Sequence, residues 1–119
     1  ELPSYALLDE PYFLTRQQIA WYHAQFLPAA VNRGDVRLGP ALAEDFGGLA
    51  PALIITAEFD PLRDEGEAYG RALAAAGNRV EIKRFDGLVH DFCATAQVFE
   101  SSRSAFGWIC DQVRSALSA

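Results

Sequence analysis

Apolar positions along the 119 residues alternate between a helical and a strand-like period. Ile19, Tyr22, His23, Phe26 and Leu27 recur at helical spacing behind Thr15-Arg16-Gln17-Gln18, a capping-box pattern with Thr15 as N-cap. This predicts a helix near 16–27, which Pro28 ends. Its broad aromatic stripe is expected to pack on the domain, the alternative being a lid over a site. Residues 28–51 carry Asn32-Arg33-Gly34-Asp35, Gly39-Pro40, Gly47-Gly48 and Pro51. They read as a long connection, of a length that tends to be functional or to cross between layers. Ala52-Leu53-Ile54-Ile55-Thr56-Ala57 is short and continuously apolar after a proline. It fits a strand near 52–57 buried on both faces, as in a parallel sheet.

Asp64 and Glu67 form a second capping-box pattern, and a helix near 64–76 runs through Tyr69 and Leu73 to a stop at Gly77-Asn78. From 79 to 85 the chain alternates, with Val80, Ile82 and Arg84 on one face and Glu81, Lys83 and Phe85 on the other. The interleaved charges mark an edge strand. Asp86-Gly87 reads as a turn. A last amphipathic helix near 96–117 is expected to lay Phe99, Phe106, Ile109, Cys110, Val113, Ala116 and Leu117 on the sheet. Residues 1–14, with Pro3, Pro11 and the cluster Tyr12-Phe13-Leu14, read as irregular. The fold class is α/β, and strand–helix–strand at this spacing makes a right-handed parallel unit the default.

Composition adds limits. Half the residues are hydrophobic and 22% charged, as in a globular domain. The formal charge of −6 argues against nucleic acid or an anionic membrane as partner, since both need a basic face. No apolar run approaches a membrane span of about 20 residues. The start, Glu1-Leu2-Pro3-Ser4, lacks signal-peptide features, and the chain has no methionine, which points to a processed chain or a segment of a longer one. Cys93 and Cys110 form no metal-ligand spacing; they read as reduced thiols of a cytoplasmic protein, too far apart along one helical segment for a disulfide. Nothing matches a zinc or calcium spacing, so no metal is expected. Gly47-Gly48 matches no phosphate-cradling pattern.

The candidate chemistry lies after the two strands. Asp60 follows the first and His90 the second, so both would project from the carboxyl edge of a parallel sheet, where such folds build sites. Asp60-Pro61 also looks like an N-cap with proline at the first helical position. The better capping box at Asp64 leaves Asp60 in the preceding turn. Of the two histidines, His23 falls on a helix face, whereas His90 lies in a glycine-containing loop. An acid followed by a histidine is two-thirds of an acyl-transfer triad. The histidine takes the proton of a serine hydroxyl, and the carboxylate fixes the imidazole tautomer and stabilises the imidazolium. Asp64, Glu65 and Glu67 suit the positive end of a helix dipole and read as helix-stabilising.

Thr56-Ala57-Glu58-Phe59-Asp60-Pro61-Leu62-Arg63-Asp64-Glu65-Gly66, with Gly87-Leu88-Val89-His90 downstream, resembles the hormone-sensitive-lipase-like carboxylesterases of the α/β-hydrolase superfamily. Tyr12-Phe13-Leu14-Thr15 and the helix after it look like that family's segment preceding the triad acid. The resemblance covers nearly the whole chain but only the C-terminal part of the family's domain. Residues 1–51 would be the cap-side helix and long loop, and 52–119 the strand–helix–strand–helix portion carrying the acid and the histidine. It implies Asp60 as triad acid, His90 as triad base, and Leu62 and Val89 facing the acyl pocket. It implies hydrolysis of esters of small to medium acyl chains with no cofactor, and a homodimer through the Val80–Phe85 edge.

The pattern departs from the family in several places. No serine stands in a GxSxG elbow, and the HGGG oxyanion-hole motif is absent; both would lie on a missing N-terminal segment. Asp91 replaces the usual glycine after the histidine, where it could raise the His90 pKa and compete with Asp60 or simply point to solvent. Gly39-Pro40 replaces an expected Ser-Pro. Two strands and three helices also cannot cover both faces of a parallel sheet, so the chain alone is expected to be unstable or oligomeric and to expose apolar patches. Two functions remain open: the acid–base part of a serine carboxylesterase, or a non-catalytic, partner-binding α/β module. A small doubly wound regulatory domain is a third, and would want more strands.

Overall fold

Two strands, β1 (Ala52–Phe59) and β2 (Val80–Val89), pair in parallel at the centre of the molecule. The computed structural model describes residues 2–10 and 12–118. Three α-helices accompany the strands: α1 (Arg16–Phe26), α2 (Arg63–Ala75) and α3 (Glu100–Leu117). Short 3-10 helices occupy Pro3–Asp9, Pro40–Leu42 and Phe92–Thr95. The first of these falls in the stretch expected to be irregular; Pro11, expected there too, lies outside the described residues.

Helix α1 starts as its sequence dictates. The Gln18 N–H donates to Thr15 Oγ1 at 3.3 Å, and the Thr15 N–H donates to Gln18 Oε1 at 2.8 Å. Its aromatic stripe does not pack as expected, because Trp21, Tyr22 and Phe26 are all exposed. Helix α2 departs from its expected start. It begins at Arg63 with Leu62 as N-cap, and the Asp64–Glu67 capping box does not form. Both acids have stronger partners elsewhere. Asp64 accepts from the Ser4 N–H at 2.8 Å, and Glu67 turns into the sheet. The end of α2 follows the sequence. Gly77 takes φ +88°, its N–H bonds the Ala74 carbonyl, and the Asn78 N–H bonds that of Leu73, a Schellman closure. The Asn78 side chain donates to the Phe46 carbonyl and accepts from the Leu49 N–H, pinning the end of the long connection.

The two sheet faces have different chemistry. On one, α2 approaches so closely that a Cβ at Gly70 would lie 2.9 Å from Ile82 Cδ1 and 3.1 Å from Ile54 Cγ1. That face also buries Glu67, which accepts from Thr56 Oγ1 at 3.1 Å and from two Arg84 nitrogens at 2.7 Å each. The other face carries the apolar core: Ala57, Leu88, Phe92 and Ala105, flanked by Ile55, Phe85, Cys93 and Ile109. Helix α3 packs here through Ser102 and Ala105, whose small side chains permit close approach. Of the larger residues expected on this face Ile109 packs, but Phe99, Phe106, Val113 and Leu117 are exposed, Phe106 at 43% and Leu117 at 84%. The helix also starts at Glu100 rather than near 96, because Phe92–Thr95 forms its own 3-10 turn. Cys93 and Cys110 therefore sit in different elements and not along one helix, and both are free thiols.

Strand β2 is longer than its alternation predicted, running to Val89 instead of 85. Asp86-Gly87 is no turn between elements but a bulge within the strand. Pairing runs in step from Ala52 opposite Val80 to Ala57 opposite Phe85, then shifts so that Phe59 faces Val89. The molecule exposes 8304 Å², against about 6300 Å² for a compact monomer of this mass. Its radius of gyration is 15.8 Å, against about 13.5 Å for a compact domain of this length.

Candidate active site

The end of β1 and the end of β2 meet at the carboxyl edge of the sheet, and each contributes one polar side chain. Asp60 leaves β1 and turns back on the chain, its Oδ1 accepting from the Leu62 N–H at 2.8 Å. This is an Asx turn, which fixes the carboxylate before α2 begins and leaves Oδ2 free to face β2. Oδ2 lies 3.0 Å from His90 Nδ1. The sequence-predicted acid and base are thus brought into direct contact across 30 residues of chain. Both are mostly covered, with 15% of the Asp60 and 32% of the His90 side chain exposed.

A carboxylate at Nδ1 selects the tautomer that carries its proton there, so the lone pair of the neutral ring sits on Nε2. The Asp60 hydrogen bond raises the His90 pKa above its ordinary value, against the opposing pull of burial, and the charges of Asp60 and Asp91 add to the rise. Asp91 itself is exposed, so its side chain is no second partner for the ring. Its backbone is left-handed at φ +56°, a conformation glycine adopts freely and aspartate tolerates. The Thr95 hydroxyl donates to the Phe92 carbonyl at 2.8 Å and pairs with the Ser102 hydroxyl at 2.9 Å, tying the segment after His90 to α3.

The acid's turn is held from behind by a residue the sequence did not single out. Ser4 is 1% exposed; its hydroxyl donates to the Pro61 carbonyl at 2.7 Å and accepts from the Asp64 N–H at 3.2 Å. Arg63 adds a bond to the Glu58 carbonyl at 2.6 Å and an ion pair with Asp64, which holds the Asp64 carboxyl below its usual range. Tyr12 stacks on Phe59 with centroids 5.1 Å apart. Leu62 and Val89 are half-buried beside the pair, Leu62 capping α2 and Val89 facing Phe59 across the sheet. His23 lies on the exposed helix α1. Among the described residues no group of three or more His, Cys, Asp or Glu could hold a metal ion, and no helix is long and apolar enough to cross a membrane.

A family model described as alpha/beta hydrolase fold matches residues 1–94. The carboxylic ester hydrolase LipN of Mycobacterium tuberculosis is 42% identical over 116 residues, which make up 97% of this chain and 31% of that protein. The ethyl acetate hydrolase of Pseudomonas putida is 35% identical over 84% of the chain and 31% of its own length. Among solved structures, the ester-hydrolase EH1AB1 from the metagenome of Lake Arreo superposes with a TM-score of 0.92 at 32% identity, covering all of this chain and 38% of that one. The chain thus spans about a third of the length of the relatives it matches. Helices around a parallel two-stranded sheet match a fragment of their fold, and the chain belongs to the hormone-sensitive-lipase-like carboxylesterase family of the α/β-hydrolase superfamily.

Proposed function

We propose that these residues are the acid–base portion of a serine carboxylic ester hydrolase, with Asp60 and His90 as two members of a Ser-His-Asp triad. The observation that carries this reading is the 3.0 Å contact between Asp60 Oδ2 and His90 Nδ1 at the carboxyl edge of a parallel pair. It leaves a basic nitrogen, Nε2, on a ring whose orientation is fixed. The third member comes from outside the 119 residues. Ser4 and Ser102 are buried and bonded to Pro61 and Thr95, Ser101, Ser104 and Ser115 lie on α3, and Ser118 caps its end with its hydroxyl on the Arg114 carbonyl.

His90 Nε2 takes the serine proton as the serine oxygen attacks the ester carbonyl carbon. Asp60 stabilises the imidazolium that forms. The same proton then passes to the alcohol oxygen as the C–O bond breaks and an acyl-serine remains. Water, deprotonated by His90 in turn, releases the acid and returns the serine. The substrate is an ester of a small to medium acyl chain, in keeping with the resemblance and with a relative that acts on ethyl acetate.

The test is hydrolysis of p-nitrophenyl butyrate by the protein that carries this chain, before and after a serine-directed phosphonate, with intact mass recorded in parallel. Turnover lost on labelling of a serine outside this chain, and H90A inactive, is the expected result. A protein that folds but neither turns over nor labels would leave a non-catalytic α/β module.

A further inference from the structure

We propose that Glu58 is a positioning residue for the Asp60–His90 pair: its carboxylate clamps the Gly87 N–H and so holds the β2 bulge that brings His90 level with Asp60. The inference rests on the reading of that pair as acid and base. The register shows why a device is needed. Up to Ala57 opposite Phe85 the strands run in step. Continued in step, Asp60 would face Leu88, and His90 would lie two residues farther on, roughly 6–7 Å along the strand. The 3.0 Å contact would then have to run diagonally between the strands, with both side chains stretched toward each other. Instead β1 takes two steps from Ala57 to Phe59 while β2 takes four from Phe85 to Val89. The two extra residues bring the ends level. They also break the alternation of faces: Leu88 joins Phe85 in the core, where strict alternation would have set it with Ile82 and Arg84 on the α2 side.

A bulge frees backbone donors from the ladder and needs something to hold its shape. Gly87 adopts φ +73°, which a residue with a Cβ rarely takes, and its N–H is met by Glu58 Oε2 at 2.7 Å. Glu58 stands at the register shift itself, between Ala57 and Phe59. Its main chain is fixed as well, since the Glu58 carbonyl accepts from Arg63. Asp60, Asp86 and Asp91 crowd the same end of the sheet, so charge balance gives no reason for a fourth carboxylate there. Accepting the bulge N–H does, because a carboxylate acceptor makes a stronger bond than a neutral one.

The experiment compares E58A, E58D and E58Q in the protein that carries this chain. It reads the low-field NMR proton of the Asp60–His90 hydrogen bond, kcat and KM separately, and thermal melting. In E58A the low-field proton is expected to broaden or vanish. Its kcat should fall about 10- to 100-fold with KM within about twofold, since misplacement acts on the chemical step. E58Q should restore both, because its amide oxygen still accepts from Gly87. A folded E58A with wild-type low-field proton and kcat, or an E58Q as damaged as E58A, overturns the proposal. Should E58A not fold, E58D decides, since its shorter arm cannot reach Gly87: an unchanged low-field proton there overturns it too. If the wild type itself does not hydrolyse esters, the functional reading fails, and the low-field proton alone judges Glu58.

Discussion

His90 must be neutral to act as a base, and its pKa is raised chiefly by the Asp60 hydrogen bond. The acid limb of the rate profile is therefore expected above the ordinary histidine value of about 6.5. D60N should move that limb to lower pH and reduce kcat by about 10³-fold or more, read from kcat/KM across pH. Stability responds with the opposite sign. A raised folded pKa gives stabilisation that is full below the unfolded value near 6.5 and lost as pH rises through the folded value. Asp91 supports a finer test, since its charge adds to the rise. D91G should shift the acid limb slightly to lower pH. Its effect on unfolding free energy should stay within about 1 kcal/mol, because relief of the left-handed backbone and the entropy cost of glycine oppose each other. At this scale the candidates were legible, because strand ends and a glycine-containing loop are local signals. That Asp60 bonds His90 Nδ1 while Asp91 stays exposed was not, since it depends on where 30 residues of intervening chain return.

Between elements, Glu67 is the residue whose role changed most. Its pattern with Asp64 suggested a helix start; its partners are Arg84 of β2 and Thr56 of β1, with Arg71 farther off at 3.5 Å. The Arg84 contact is the main reason its carboxyl titrates below the ordinary range. This stabilisation is present above the unfolded value near 4.5 and lost as pH falls through the lowered folded value. R84A leaves a buried carboxylate short of its main partner. Because Arg84 is itself 43% exposed, the expected loss is about 1–3 kcal/mol rather than the full cost of a deeply buried pair, measured by urea unfolding at neutral pH. G70A tests the approach of α2 to the sheet. Alanine gains up to about 1 kcal/mol of helix propensity but overlaps Ile82 and Ile54, costing about 1–3 kcal/mol. A net loss of roughly 1 kcal/mol is expected in the same assay. The charge pattern of 79–85 did reveal which face Arg84 would take, but no periodicity could pair it with an acid on a helix.

The whole molecule has more surface than its mass warrants, and much of it is apolar. Phe13, Trp21, Tyr22 and Phe26 stand exposed around α1, and Val98, Phe99, Phe106, Val113 and Leu117 along α3. Exposed apolar surface on this scale drives association. The 119 residues expressed alone should therefore bind a hydrophobic dye strongly and elute as oligomers or aggregates in size-exclusion chromatography. A sharp monomer peak with cooperative melting would contradict this. The expectation of packed helix faces failed here because hydrophobic periodicity shows which side of a helix avoids water, and not whether these residues include the surface that covers it.

The sequence by itself determined what depends on near neighbours. The Thr15–Gln18 cap, the closure at Gly77-Asn78, the apolar run of β1 and the two candidate groups after the strands all follow from contacts within a few residues, where steric and hydrogen-bond preferences are strong. Tertiary structure decided the rest: the β2 bulge, the inward turn of Glu67, the choice of Ser102 and Ala105 over Phe106 as the packed side of α3, and the anchoring of Asp60's turn by Ser4. Each joins groups distant along the chain, so each was settled by which donors, acceptors and small side chains the fold brought within reach.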